Sequence, residues 1–283
     1  MEQSAGPAAY FAVLLIAAAA HGAPDAGSAP ATPLPGHHWA PEAQVLEPKA
    51  IEILKAASKR LAGARTLAFT AVIADESPSR LGPPLLYVSR ADVTLQRPDH
   101  LRILNSGAGT RTEIYLAGTQ LTAWAPTEGF IARATVPPTI DGALEAGYKL
   151  AHVYFPFADL VVDDPYGVIA PDLRLAFYIG RSEAVGGVTT DVIAYATDEV
   201  FIQAWIGVED KLPRRLRAIY LMDQGNLRHE MELSGWKVDL KLAASTFTLP
   251  AAAAKARPVA FERPGPQPPP SPAVPASIAA PPK

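Results

Sequence analysis

Residues 201–222, FIQAWIGVEDKLPRRLRAIYLM, read as two apolar strands joined by a charged turn, and the first strand is apolar on both faces. Side chains alternate across a strand. One face carries Phe201, Trp205 and Gly207, broken only by Gln203, and the other carries Ile202, Ala204, Ile206 and Val208. An antiparallel strand with one solvated side shows one apolar and one polar face. This segment therefore limits the fold to two possibilities. Either the sheet is covered on both sides, or one side meets something apolar that is not protein.

The places where the apolar pattern fails set the boundaries. Residues 23–48 and 263–283 are rich in proline and lack periodicity. Neither can bury enough surface to offset the entropy of ordering, so they read as a Pro-rich linker and a Pro-rich disordered tail. Between them, 49–262 has the length of a single domain. Ahead of the linker, residues 8–20 form an apolar run. That run is shorter than the ~20 residues that span a bilayer. Ala20, Gly22 and Ala23 close it, as in a signal peptide over 1–22 that is cleaved on export to the periplasm. No Lys or Arg precedes the run, which departs from the usual signal pattern.

Within 49–262, PKAIEILKAASKRLAGA predicts a helix with Pro48 in its first turn, Gly63 at its end, and Ile51, Leu54, Ala57 and Leu61 on one stripe. TLAFTAVIAD alternates, with Leu67, Phe69, Ala71 and Ile73 on one face. Two strands bent at Pro98 and a meander with turns at 117–118 and 126–129 follow. Pro156 and Pro165 break the next region into two short helices, and a second meander runs to about residue 239. The order is helix, strands, helices, strands. That predicts an α+β fold with one large antiparallel sheet and a few helices on one face.

Few chemical functions survive this reading. Cysteine is absent, so disulfides, thiolate metal sites and a cysteine nucleophile are excluded. The net charge of -3 gives no basic excess for nucleic acid. No nucleophile elbow, P-loop or H-E-x-x-H is present, and His37 and His38 sit in the Pro-rich linker without fixed geometry. Asp163 and Asp164 form an adjacent acidic pair, but beside Pro165 such a pair caps a turn or helix. His152, beside Tyr154, Phe155 and Phe157, reads as a packed residue rather than a general base. An enzyme is not expected, nor a cofactor or a metal.

Several stretches occur in a meaningful order: the helix AIEILKAASKRLAGARTLAFTA, the Arg-Pro strand pair LQRPDHLRI, and the meander YLAGTQLTAWAPTEGFIARATVP. After them come PPTIDGAL and PFADLVVDDP, the strand–turn–strand AWIGVEDKLPRRLRAIY, and the closing WKVDLKLAASTFTLP. No single stretch is specific, but the order is. Over residues 50–261 the chain resembles the LolA/LolB superfamily of periplasmic lipoprotein carriers. It is more similar still to an exported branch known only as a domain of unknown function. The lipobox cysteine of the anchored LolB-like form is missing, which points to the soluble form.

The resemblance implies a curved antiparallel sheet forming an incomplete β-barrel, closed by a few helices, with an apolar cavity between. It implies a periplasmic binding or carrier protein, without catalytic activity, for an apolar ligand. The ligand would be a lipid, an acyl chain or an acylated protein, with transient membrane contact, no nucleic-acid partner and a monomeric state. Leu54, Phe69, Trp124, Tyr154, Phe157, Trp205 and Tyr220 would contact the ligand. Arg97 of the Arg-Pro pair would reach the lid helices and latch them. Its guanidinium is a fork of five donors that suits the orphan carbonyls at helix ends. Two alternatives stand beside this reading. Arg97 is a solvated edge charge, and the domain is an envelope interaction or regulatory module whose interior is filled by its own side chains.

Overall fold

The computed structural model describes residues 44–79, 82–107, 109–221 and 226–262. The segments read as signal peptide and tail lie outside them, as does most of the linker. The last residues of that linker stretch are part of the fold. Val45–Leu46 form strand β1, which pairs in parallel with the strand that begins at Leu175. The proline-rich composition masked this two-residue strand, because its backbone bonds are made to a distant partner.

Helix α1 (Pro48–Ala62) has Pro at its first turn, and Gly63 closes it by donating its N–H to Lys59 O at 3.0 Å. Glu47, at the N-cap, does not cap the helix with its side chain. Its carboxylate accepts the backbone N–H of Tyr178 at 2.7 Å and so fastens the helix start to the sheet. The face that α1 buries is Ala50, Leu54, Ala57, Ser58 and Leu61, with Ile51 half-buried at its margin.

The strands are β2 (Thr66–Ser77), β3 (Leu85–Gln96), β4 (His100–Gly107), β5 (Thr110–Ala117), β6 (Gln120–Ala125) and β7 (Phe130–Thr135) in the first half. The second half has β8 (Leu175–Ser182), β9 (Thr190–Ala196), β10 (Val200–Gly207), β11 (Pro213–Tyr220) and β12 (Arg228–Val238), and β13 (Arg257–Val259) follows. All belong to one 13-stranded sheet in the order β1-β8-β9-β10-β11-β12-β2-β3-β4-β5-β6-β7-β13. The two meanders are joined where β12 pairs antiparallel with β2. The sheet is curved and does not close, and among the described residues only the end pairings β1–β8 and β13–β7 are parallel. Gly118 (φ 60°) and Gly129 (φ 72°) take the left-handed conformation in the two meander turns placed from sequence.

Between the halves runs a helical insert. It contains α2 (Ile140–Ala151), α3 (Ala158–Val161) and α4 (Pro165–Ile169), followed by a 3-10 turn at Ala170–Asp172. That is one more helix than the two expected. Thr139 caps α2 by accepting the Gly142 N–H at 3.0 Å, and Asp164 caps α4 by accepting the Gly167 N–H at 3.0 Å. The capping role read for the acidic pair therefore belongs to Asp164. His152 is exposed in a left-handed conformation (φ 53°) at the end of α2, its ring stacked on Tyr148, and is not packed as expected.

The helices cover one face of the sheet. There Leu67, Phe69, Ala71 and Ile73 of β2 continue into Ala91, Val93 and Leu95 of β3 and Leu101 and Ile103 of β4, all buried. On the half made by β4–β7 this face is filled by α2 and by Val153, Phe155 and Phe157. On the half made by β8–β11 it is covered by α1 and α4.

Candidate functional site

The inward face of the second half is not filled. Strand register builds its floor as two cross-strand rows. One runs Ile193–Ala204–Leu216–Met231–Ile73 across β9, β10, β11, β12 and β2. The next runs Tyr195–Ile202–Ala218–His229–Asp75. Leu54, Ala57 and Leu61 of α1 form one wall, and Leu160, Tyr166 and Ile169 of the insert form another. Between them lies a cavity of about 90 Å³, counted as space for the centres of water-sized spheres. Its lining is mostly apolar, with a polar end.

This answers the question of the two-faced strand. Ile202, Ala204 and Ile206 face the cavity. Phe201 and Trp205 lie on the opposite face, half-buried, and Trp205 is covered by the Arg215 guanidinium 5.7 Å from its ring. An arginine stem from the neighbouring strand shields that indole, so no second protein layer is needed there.

The polar end has four named parts. His229 and Asp75 are direct cross-strand partners, with Nδ1 of the imidazole 3.0 Å from the carboxylate. Glu230 borders the cavity by position, but it alternates with the inward His229 and Met231, and Arg215 and Arg217 hold its carboxylate on the outer face. Tyr195 is buried on the floor, and burial raises its hydroxyl pKa, with the Asp159 charge adding to the shift. Asp159, on α3, lines the cavity from above. Its surface is open to the cavity while protein surrounds it, and burial raises its pKa above the usual carboxylate value. A raised carboxyl pKa means that the folded state favours the proton. The associated stability is present at acid pH and is lost as pH rises through the raised pKa. Asp159→Asn is therefore expected to raise Tm at pH 7 in the ligand-free protein. The gain should vanish below about pH 4, where the carboxyl is protonated in both states. Thermal melts at the two pH values check it.

The sequence-predicted ligand contacts divide. Leu54 lines the cavity, and Tyr154 is buried close enough to Asp159 and Asp75 for their charges to help raise its pKa after burial itself. Tyr220 sits against His229, with ring centroids 5.1 Å apart. Of the seven, Leu54 alone is part of the cavity lining. Phe69 is packed between Trp236 (4.5 Å) and Phe157 (5.8 Å) in the filled half. Phe157 is 1 % exposed in the same cluster. Trp124 lies on the opposite face of the sheet, against Ile131 and Ala253, and Trp205 is also on that face. The floor is mostly aliphatic apart from Tyr195 and His229, while Phe69 and Phe157 fill core and Trp124 and Trp205 lie on the outer face. Asp159, Tyr195 and the Asp75–His229 pair were missed, because only the pairing of β12 with β2 and the fold of the insert bring them together.

Arg97 does reach the insert. Its guanidinium donates to Val162 O at the end of α3 (3.0 Å) and to the Asp163 carboxylate (2.7 Å), with its side chain 12 % exposed. The next residue, Pro98, accepts the first N–H of α2, from Ile140, at 2.8 Å. Asp163 N–H in turn donates to Asp141 of α2 at 3.2 Å. One corner of the β3–β4 turn thus holds the start of α2 and the end of α3. Charge-assisted bonds of this kind contribute roughly 1.5–3 kcal/mol. Arg97→Leu is expected to speed amide exchange in α3 and α4 by about tenfold or more, with α1 unchanged. Exchange measured residue by residue checks it.

A second apolar surface lies apart from the cavity. Leu85, Leu86, Tyr87 and Val88 open β3 and are 51–62 % exposed. Among the described residues they pair only with β2, since β4 joins at Ser89. Among the described residues, no helix is long and apolar enough to cross a membrane, and no group of three or more His, Asp or Glu is placed to hold a metal ion.

Residues 50–262 match the family described as predicted periplasmic protein (DUF2092). The chain belongs to that family. The match agrees with the resemblance read from the order of stretches over 50–261. No curated protein matches the chain. Among solved structures it is similar to LprF from Mycobacterium bovis at 16% identity, over 68% of this chain and 94% of that one, with a TM-score of 0.42. The Pseudomonas aeruginosa MucA/MucB complex is similar at 14% identity over 72% of this chain, with a TM-score of 0.41. There the match spans 62% of the other chain. A LolA superfamily protein from Nitrosomonas europaea is similar at 11% identity, over 71% and 97% of the two chains, with a TM-score of 0.34.

Proposed function

We propose that this DUF2092 protein is a non-enzymatic periplasmic binding or carrier protein that holds one apolar chain of a lipid or an acylated protein between α1, the insert and β9–β12. The observation that carries the reading is the aliphatic floor left unfilled beneath two covering helices. Apolar surface left in contact with water costs ~25 cal/mol per Å², so an open aliphatic cavity is stabilised by an apolar guest. The family description supplies the compartment, and the Arg97 corner supplies a joint on which the insert can open. In a periplasmic carrier the guest enters from a membrane or from another protein, so the lid must move, and bonds worth a few kcal/mol are of the size that sets such an equilibrium.

The test is mass spectrometry of organic extracts from protein isolated out of its native envelope. The expected result is a lipid or acyl species that co-purifies in near-equal amount and is lost from a variant with its cavity filled. Protein free of lipid, with the same thermal stability before and after extraction, would turn the reading towards an interaction module.

A further inference from the structure

The cavity contains one charge without a counter-charge. Among its acids, Asp75 faces His229 and Glu230 faces Arg215 and Arg217. Asp159 faces none of these. Its carboxylate makes no hydrogen bond or ion pair with a described residue, and burial alone accounts for its raised pKa. No lysine or arginine lines the cavity among the described residues. Asp159 is exposed where it opens into the cavity, and a carboxylate beside aliphatic walls loses part of its hydration with no protein cation in the lining to replace it. The group is built into the fold all the same. It occupies the first turn of α3, between Phe157 and Leu160, two core residues that fix its direction.

We infer that the cavity selects single-chain amphiphiles with a cationic nitrogen head group, and that Asp159 receives that head while the alkyl chain lies on the Ala204–Leu216 row of the floor. This rests on the reading that the cavity holds an apolar guest. An ammonium supplies the missing charge and hydrogen-bond donors. An alcohol of the same length supplies the donor but no charge, and a carboxylate repels. Like charges brought together in a poorly solvated site are strongly disfavoured, so free fatty-acid anions are the excluded class. The Tyr154 and Tyr195 hydroxyls, near enough to feel the Asp159 charge, would surround the head as neutral dipoles.

The experiment titrates the full chain at pH 7.5 with decylamine, decanol and decanoate, three guests that share one chain and differ in head group. Decylamine is expected to bind about tenfold or more tightly than decanol, with decanoate weakest. Asp159→Asn should bring decylamine to within about threefold of decanol, because it weakens the amine far more than the alcohol. Asp159→Ser, which removes the carboxylate with a smaller side chain, should act in the same way if the Asn variant is disturbed. Equal binding of amine and alcohol by the native chain would overturn the head-group inference and leave the cavity reading standing. An amine preference that survives both substitutions would assign the head to another acid. Absence of binding by all three guests would remove both readings together.

Discussion

Alanine at position 157 is expected to lower stability by about 3–5 kcal/mol, the range for deleting a fully buried phenyl ring. For a domain of this size that corresponds to a fall in Tm of roughly 10 °C. Phe157 is 1 % exposed, meets Phe69 edge-on at 5.8 Å and stacks on Phe155 at 5.6 Å. It lies just before α3 and fixes the insert to β2, so its removal leaves a cavity at the joint between the two halves of the sheet. Thermal or denaturant melts check the size of the loss. The folded fraction should bind an apolar guest with little change in affinity, because Phe157 packs the core and does not line the cavity.

Phenylalanine at position 218 should do the reverse. Ala218 is 5 % exposed and stands in the second floor row between Ile202 and His229, facing the cavity. A phenyl group there occupies the space an alkyl chain would take. Filling a cavity commonly adds about 0.5–2 kcal/mol, so Ala218→Phe should be as stable as the native chain or more so. Its affinity for a fluorescent apolar probe should fall by about tenfold or more, a loss of ~1.4 kcal/mol. A gain in stability with a loss of binding separates a guest site from ordinary core. Overpacked core would instead lose about 1–3 kcal/mol.

Much of this fold was legible because local signals and tertiary structure agree. Pro48 and Gly63 bound α1 where expected. The alternation of Leu67, Phe69, Ala71 and Ile73 gave the buried face of β2. Glycines with positive φ at 118 and 129 marked the meander turns. The cavity was harder to read for a physical reason. Ile202, Ala204 and Ile206 face it while Phe201 and Trp205 face away, and period-two alternation cannot tell which of two apolar faces is inward. The large aromatics drew attention to the wrong face, since Trp205 is covered by an arginine rather than by protein core. The acidic end left no trace in the sequence. Asp75 and His229 are 154 residues apart, and the second floor row that unites them exists only once β12 has paired with β2. The Arg97 fork meets Val162 O and the Asp163 carboxylate only once the insert has folded over the strand end, so no local signal in the sequence places it there.

The central claim is that an apolar chain lies between α1, the insert and β9–β12. Photo-crosslinking with an alkyl diazirine, mapped by mass spectrometry on the full chain, tests it most directly. The account predicts adducts on the peptides carrying Leu54 and Leu61, Tyr166 and Ile169, and Ile202 to Leu216, all suppressed in Ala218→Phe. Adducts confined to the exposed Leu85–Val88 stretch, with the same yield in Ala218→Phe, would contradict it.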